Sequence, residues 1–403
     1  MIRTPALLLG GLLAAAMLPT ATPADAAQPA PGAAEPTPET ARPTPEATGT
    51  PLSPDSGLYP TSVRLAHAGE DNGAVLTGTV SFGADGGSAR FYESKDEGAT
   101  FNEVGRITDP AFADGLCCGS MLELPRQVGD LPEGTLLWTA SVGANPEDRR
   151  MSLPVWQSQD RGRTWSYLST CATAPGTGGH WEPELFVDDA GALGCYFADE
   201  NDPEHSQKLQ RAVSTDGVNW AAPEPVVELA DPALRPGMPV VRRLPDGRAY
   251  LSYEICGAEG PHICAAHFRL SDDGADWGDP AAQDPLLTLG DGRYFAHAPK
   301  ITVIDDGTSD GRLITVGQEL RNADGTVAEG NGATLFASDE PGANDNVALP
   351  APVEVPGARD EPCPNYSSSL APLADSGRIL EVATDYDENG TCRAYYATGD
   401  LTG

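Results

Sequence analysis

From about Leu58 to the C-terminus the chain alternates short apolar runs with clusters of Gly, Asp, Asn and Pro, and it carries almost no amphipathic helical spacing. One unit recurs along this stretch: an apolar run, a Gly/Asp-containing turn and a second apolar run. It occurs in residues 62–80, 121–143, 184–200, 239–256, 300–320 and 369–386. Short strands repeated at this interval predict an all-β fold in which each unit is one sheet.

A second signal follows the first four units. Ser94-Lys95-Asp96-Glu97-Gly98-Ala99-Thr100-Phe101 and Ser158-Gln159-Asp160-Arg161-Gly162-Arg163-Thr164-Trp165 share the form S-x-D-x-G-x-T-aromatic. Ser214 to Trp220 and Ser271 to Trp277 are versions one residue shorter, and the fifth unit keeps only Ser338-Asp339. Ser and Asp side chains bond local backbone, Gly permits a positive φ, and the aromatic packs beneath, so each copy predicts a hairpin turn with structural carboxylates. The opening serines are 64, 56 and 57 residues apart, so the 347 residues from 57 to 403 hold about six repeats. A six-bladed β-propeller is expected, because radial repetition leaves only short sheet edges. If the last blade lacks an outer strand, the residues near Leu58 to Arg64 are expected to close the ring.

The N-terminal stretch reads differently. Residues 1–27 have one early cation, an apolar run from Ala6 to Leu18 and a final Ala24-Asp25-Ala26, the order of a secretory signal peptide, which predicts a secreted, extracellular protein. Residues 28–56 are rich in Pro, Thr, Ala and Glu with almost nothing to bury, and are expected to be a disordered linker. The propeller is then expected to span 57–403. Beyond the leader no run is long enough to span a bilayer, so no membrane association is expected after its removal.

A formal charge of −34 excludes nucleic acid as a partner, since a phosphate backbone requires a basic stripe. All eight cysteines lie in the predicted propeller, where export permits disulfides, and Cys256 and Cys264 flank a short loop as the expected local bridge. No CxxC pair and no HExxH are present, so no metal or other cofactor is expected. A monomer is expected.

Chemistry in a propeller belongs at the channel mouth, where inner strands begin. Three stretches are candidates: His180-Trp181-Glu182-Pro183-Glu184; Leu234 to Met238 with Ser252-Tyr253-Glu254; and Pro364-Asn365-Tyr366-Ser367. Glu182 and Glu254 are acids in aromatic or apolar company, a setting that raises a carboxyl's pKa as a general acid needs. Trp181, Arg235, Arg64, Tyr366, His297 and Gln207 are candidate substrate-binding residues. Each has a structural alternative: core packing for Trp181, ion pairing for the arginines in so acidic a chain.

The S-x-D turns resemble the Asp-boxes of sialidase-superfamily propellers. Residues 178–255, with W-E-P at 181–183, Q-x-L-x-R at 207–211 and R-x-G-M at 235–238, resemble the exo-arabinanases of glycoside hydrolase family 93. That resemblance implies a retaining, exo-acting hydrolase of α-L-arabinan-type oligo- or polysaccharides, with Glu182 as nucleophile and Glu254 as acid/base. An exo-α-sialidase is the alternative. It would need an arginine in an F/Y-R-I-P motif near the first strand, where this chain has Tyr59-Pro60-Thr61-Ser62. A propeller that binds glycans without cleaving them is the third reading. The Cys117-Cys118 pair and the Cys256 to Cys264 segment depart from the pattern and are expected to reshape the pocket.

Overall fold

The computed structural model describes residues 47–83, 86–374 and 377–401. The expected signal peptide and most of the expected linker lie outside these residues. Within them the chain forms six antiparallel sheets in sequence order, each with its first strand innermost, and almost no helix. The inner strands are Leu58–Arg64, Leu116–Glu123, His180–Val187, Arg235–Arg243, Lys300–Ile304 and Ser369–Pro372. Five blades have four strands; the fourth has three of its own, Arg235–Arg243, Ala249–Cys256 and Ala265–Ser271, extended by Tyr294–Ala296 and Glu319–Arg321. The six-bladed propeller predicted from the repeat is therefore the fold.

Each pair of neighbouring blades buries its own apolar cluster. Leu76 and Phe91 of the first blade meet Trp138 and Trp156 of the second, and Tyr196 and Leu209 of the third meet Val241 and Tyr253 of the fourth. Val75 and Tyr92 of the first blade pack with Leu380 and Val382 of the sixth, which closes the ring. Complete burial of such a side chain contributes about 1.5–3 kcal/mol, so the blades hold one another rather than standing alone.

The S-x-D turns tighten these contacts. Oδ1 of Asp160 accepts the Ser158 hydroxyl and the Thr164 N–H, both at 2.8 Å, and Oδ2 accepts the Thr164 hydroxyl at 2.6 Å. Asp96 makes the same set. The glycine of each full-length copy has φ +80°, which a side chain would strain. The aromatic then reaches the preceding blade: Trp165 stacks on Phe91 at 4.3 Å, Trp220 donates to Ser169 Oγ and Trp277 to the Tyr196 hydroxyl. In the fifth blade Ser338 instead bonds Asp345.

Closure differs from the expectation. Leu58–Arg64 is the innermost strand of the first blade, while the outermost strand of the sixth is Thr50–Pro51, paired with Tyr396 and Tyr395. Backbone bonds from Thr48 to Glu354, Leu52 to Ala394 and Gly57 to Cys392 continue the attachment. A strand this short needs only backbone groups, so Pro/Thr-rich composition does not prevent it.

All eight cysteines are paired: Cys117–Cys118, Cys171–Cys195, Cys256–Cys264 and Cys363–Cys392. The expected local bridge forms. No helix among the described residues is long and apolar enough to cross a membrane.

Candidate active site

The entrance to the channel is built from one backbone device used six times. Where each inner strand begins, a residue other than glycine has left-handed φ: Tyr59, Cys118, Glu182, Met238, Ala298 and Ser367, between 48° and 62°. At the first four the strand register jumps, the signature of a β-bulge. A bulge twists the chain so that one side chain is re-aimed, here toward the mouth. Non-glycine residues in this region cost about 1–3 kcal/mol each, and such strain collects where a site must be held open.

Glu182 occupies the third of these positions. Its N–H donates to Ser141 Oγ at 3.2 Å, and its Oε2 accepts the N–H of Met238, the fourth position, at 3.1 Å. Glu254 lies two residues before the end of the strand Ala249–Cys256, which puts it cross-strand from Gly237. Its Oε2 accepts the N–H of Ala298, the fifth position, at 2.7 Å. A methyl carbon placed on Gly237 would lie 3.7 Å from Oε2 of Glu182 and 3.8 Å from Oε1 of Glu254, so these oxygens are at most about 7.5 Å apart. The two acids face one another across a glycine that leaves the space between them clear.

Burial raises the Glu182 carboxyl to about 7, against the stabilising Met238 N–H. Burial, followed by the charge of Glu182, raises Glu254 to about 8, against the Ala298 N–H. Of two like acids in one pocket, the second holds its proton longer because the first is already charged. Lys300, two residues past Ala298, is depressed by burial while it feels the charges of Glu184, Glu182 and Glu254.

Tyr366 lies edge-on to Tyr59 at 5.8 Å, with its hydroxyl 3.6 Å from Sδ of Met238. Burial, then the charges of Glu182, Tyr59 and Glu254, pushes its phenol far up, so Tyr366 stays neutral. Tyr59 lies beside Glu182, and the residue after it, where the sialidase reading required an arginine, is Pro60. On the other flank Arg149 lies over the Trp181 ring at 5.3 Å. Arg235 binds Glu200 at 2.5 Å and Gln207 Oε1 at 2.6 Å, and the Gln207 amide donates to the Pro236 carbonyl at 2.9 Å. Burial works against ionisation of Glu200, but its bonds to Trp181 and Arg235 hold its carboxyl below the usual range.

The structure thus gathers Glu182, Glu254, Trp181, Arg235, Gln207, Tyr366 and His297 around one mouth. It does not bring Arg64 there: that residue ends its inner strand and forms a two-point pair with Glu97 of the S-x-D turn, at 2.8 and 3.0 Å, at the opposite end of the first blade. The direction of the strand explains the difference, since Tyr59 at its start faces the mouth and Arg64 at its end faces away. Glu184 is taken up by Arg242 and by Ser120 at 2.7 Å. His297 pairs with Asp360 at 3.5 Å, and burial depresses its imidazole. Sequence reasoning did not pick out Tyr59, Arg149, Glu200, Lys300 or the N–H groups of Met238 and Ala298 as parts of the site. The recurring position at the start of each unit is the signal that could have found Tyr59 and both amides.

Glu254, Cys256, Cys264 and His297 each bring a donor atom within 4.8 Å of the others, but the two sulfurs are bonded to each other and do not serve as metal ligands in that state.

No family model matches the chain, and no curated protein matches it. Solved structures do. An α-L-arabinanase of Penicillium chrysogenum, complexed with arabinobiose, superimposes with a TM-score of 0.72 at 24% identity, over 89% of this chain and 99% of that one. The family 93 α-L-arabinofuranosidase of Fusarium graminearum, also with arabinobiose, gives 0.71 at 23%, over 89% and 98%. A leech intramolecular trans-sialidase gives 0.54 at 11%, over 86% and 68%. The fold is that of the sialidase-like propellers, and it resembles family 93 more closely than the trans-sialidase.

Proposed function

We propose that the protein is an exo-acting, retaining glycoside hydrolase of α-L-arabinan-type chains, exported from the cell and working as a monomer. The observation that carries the reading is the pair of buried acids, Glu182 and Glu254, facing each other across Gly237 with their pKa values raised to about 7 and about 8. A retaining glycosidase needs two carboxyls about 5–5.5 Å apart, which the upper bound accommodates.

Between these two values Glu182 is ionised and Glu254 protonated. The Glu182 carboxylate attacks the anomeric carbon and forms an ester as the glycosidic C–O bond breaks, while Glu254 gives its proton to the departing oxygen. Glu254, now a carboxylate, takes a proton from water; the water oxygen bonds to the anomeric carbon, the ester breaks, and both groups return to their starting state. A neutral sugar is supported by the pairing of the nearby arginines: Arg235 and Arg149 with Glu200, Arg242 with Glu184. An anionic sugar would need guanidinium groups directed at its carboxylate.

The test compares sugar released from linear arabinan with that from sialyl-lactose. Release from arabinan only, abolished by Glu182→Ala and by Glu254→Ala, is expected. Release of sialic acid would sink the reading in favour of a sialidase, and binding without release in favour of a glycan-binding propeller.

A further inference from the structure

Glu254 meets the Cys256–Cys264 bridge at one oxygen and, at the other, a donor from backbone that is hydrogen-bonded to that bridge. Its Oε1 lies 3.4 Å from Sγ of Cys256, two residues along the same strand. Its Oε2 accepts the Ala298 N–H at 2.7 Å. Ala298 and His297 are both in left-handed backbone, φ 48° and 63°, and the pair is anchored by the His297 N–H, which donates to the Cys264 carbonyl at 2.9 Å. Cys256 and Cys264 are bonded to each other. The bridge therefore ties the strand end carrying Glu254 to the backbone that presents the donor for its second oxygen. A disulfide sulfur carries no hydrogen, so it offers Oε1 contact but no solvation.

On the reading of Glu254 as acid/base, we propose that the Cys256–Cys264 disulfide is the positioning element of that carboxyl, fixing its proton-donating oxygen and keeping water from it, so that the oxidation state of this bridge sets the rate of hydrolysis. A dithiol opens it by exchange: the reagent loses two electrons and two protons to become a cyclic disulfide, and two cysteine thiols form. Cys256 and Cys264 are then joined only through the pairing of their strands, and the His297-Ala298 backbone, hydrogen-bonded to Cys264, loses the bridge that links it to the strand of Glu254.

The test pairs turnover with a readout that needs none. In Cys256→Ser/Cys264→Ser, kcat on linear arabinan should fall about ten- to a hundredfold, the scale of a small misplacement of a reacting group. KM should stay within about twofold and the alkaline limb of the pH profile should move to lower pH. Cys171→Ser/Cys195→Ser, which removes a bridge between the second and third blades, should alter neither. Independently, the infrared carbonyl band of protonated Glu254, identified by its loss in Glu254→Gln, is titrated in the wild-type protein before and after dithiol treatment. A chelator is present because the freed thiols, His297 and Glu254 would offer a cation four donors. The midpoint should fall on reduction and recover on reoxidation. An unchanged midpoint overturns the proposal even if the serine variant fails to fold. Failure of the wild-type protein to hydrolyse arabinan overturns the functional reading instead, and the infrared midpoint still decides the role of the bridge.

Discussion

The space between the two acids can be closed with a single methyl group. In Gly237→Ala the new carbon would sit 2.8 Å from Nε2 of Gln207 and 3.7 and 3.8 Å from the facing oxygens of Glu182 and Glu254. No left-handed φ marks Gly237, so alanine fits the backbone, and the contact with Gln207 falls on the end of a movable side chain. Its displacement strains the bonds from Arg235 and to the Pro236 carbonyl, a loss of about 1–3 kcal/mol and a few degrees of Tm. The effect on chemistry should be far larger. The methyl lies at van der Waals distance from both carboxylates, where the proposed mechanism places the anomeric carbon, and a misplacement of about 1 Å costs about a hundredfold. The expected result is a fall of at least about a hundredfold in kcat/KM on arabinan, with a melting transition of unchanged shape only a few degrees lower. A kcat/KM within tenfold of wild type would mean that the reacting group is not held between Glu182 and Glu254.

Four further outcomes follow from the same geometry. The pH profile of kcat/KM should be a narrow bell, rising through about 7 as Glu182 ionises and falling through about 8 as Glu254 loses its proton; a plateau extending to pH 5 would refute this assignment. Asp160→Ala should cost about 1–3 kcal/mol by denaturant titration yet leave kcat/KM unchanged, because that carboxylate serves only its turn. Arg64→Ala should likewise leave kcat/KM on arabinan unchanged, whereas Arg235→Ala, which removes one of the two guanidinium partners of Glu200 and the donor to Gln207 Oε1, should raise KM severalfold or more. Glu381 is buried and raised to about 8, above its unfolded value, so its contribution to stability is full below about 4.5 and is lost as pH rises through 8. Glu381→Gln should therefore melt higher than wild type at pH 9 and close to it at pH 4.5, by calorimetry at the two values.

The repeat carried much of this in advance. Six strand-turn-strand units gave the blade count, and the S-x-D turns showed which carboxylates to leave out of the chemistry. Glu182 and Glu254 could be singled out because each stands beside apolar or aromatic residues where a blade begins or a strand ends. What could not be read has physical causes. The closing strand Thr50–Pro51 uses backbone bonds alone, so its side chains give no sign of it. Arg64 and Tyr59 lie in one strand, and only its direction through the ring separates a residue at the mouth from one at the far end. The donors from Met238 and Ala298 are backbone groups that any residue would supply, so no residue type announces them.

The six left-handed positions at the channel mouth also bear on how such a protein can change. Tyr59, Cys118, Glu182, Met238, Ala298 and Ser367 share one backbone conformation but have nothing in common as side chains. The ring imposes the conformation, while the side chain that occupies it varies from blade to blade. Selection can therefore exchange occupants one at a time, most readily away from Tyr59 and Cys118, which pack into the apolar seam between the first two blades. New substrate preferences can arise by point substitution, with no insertion and no rebuilding of a blade.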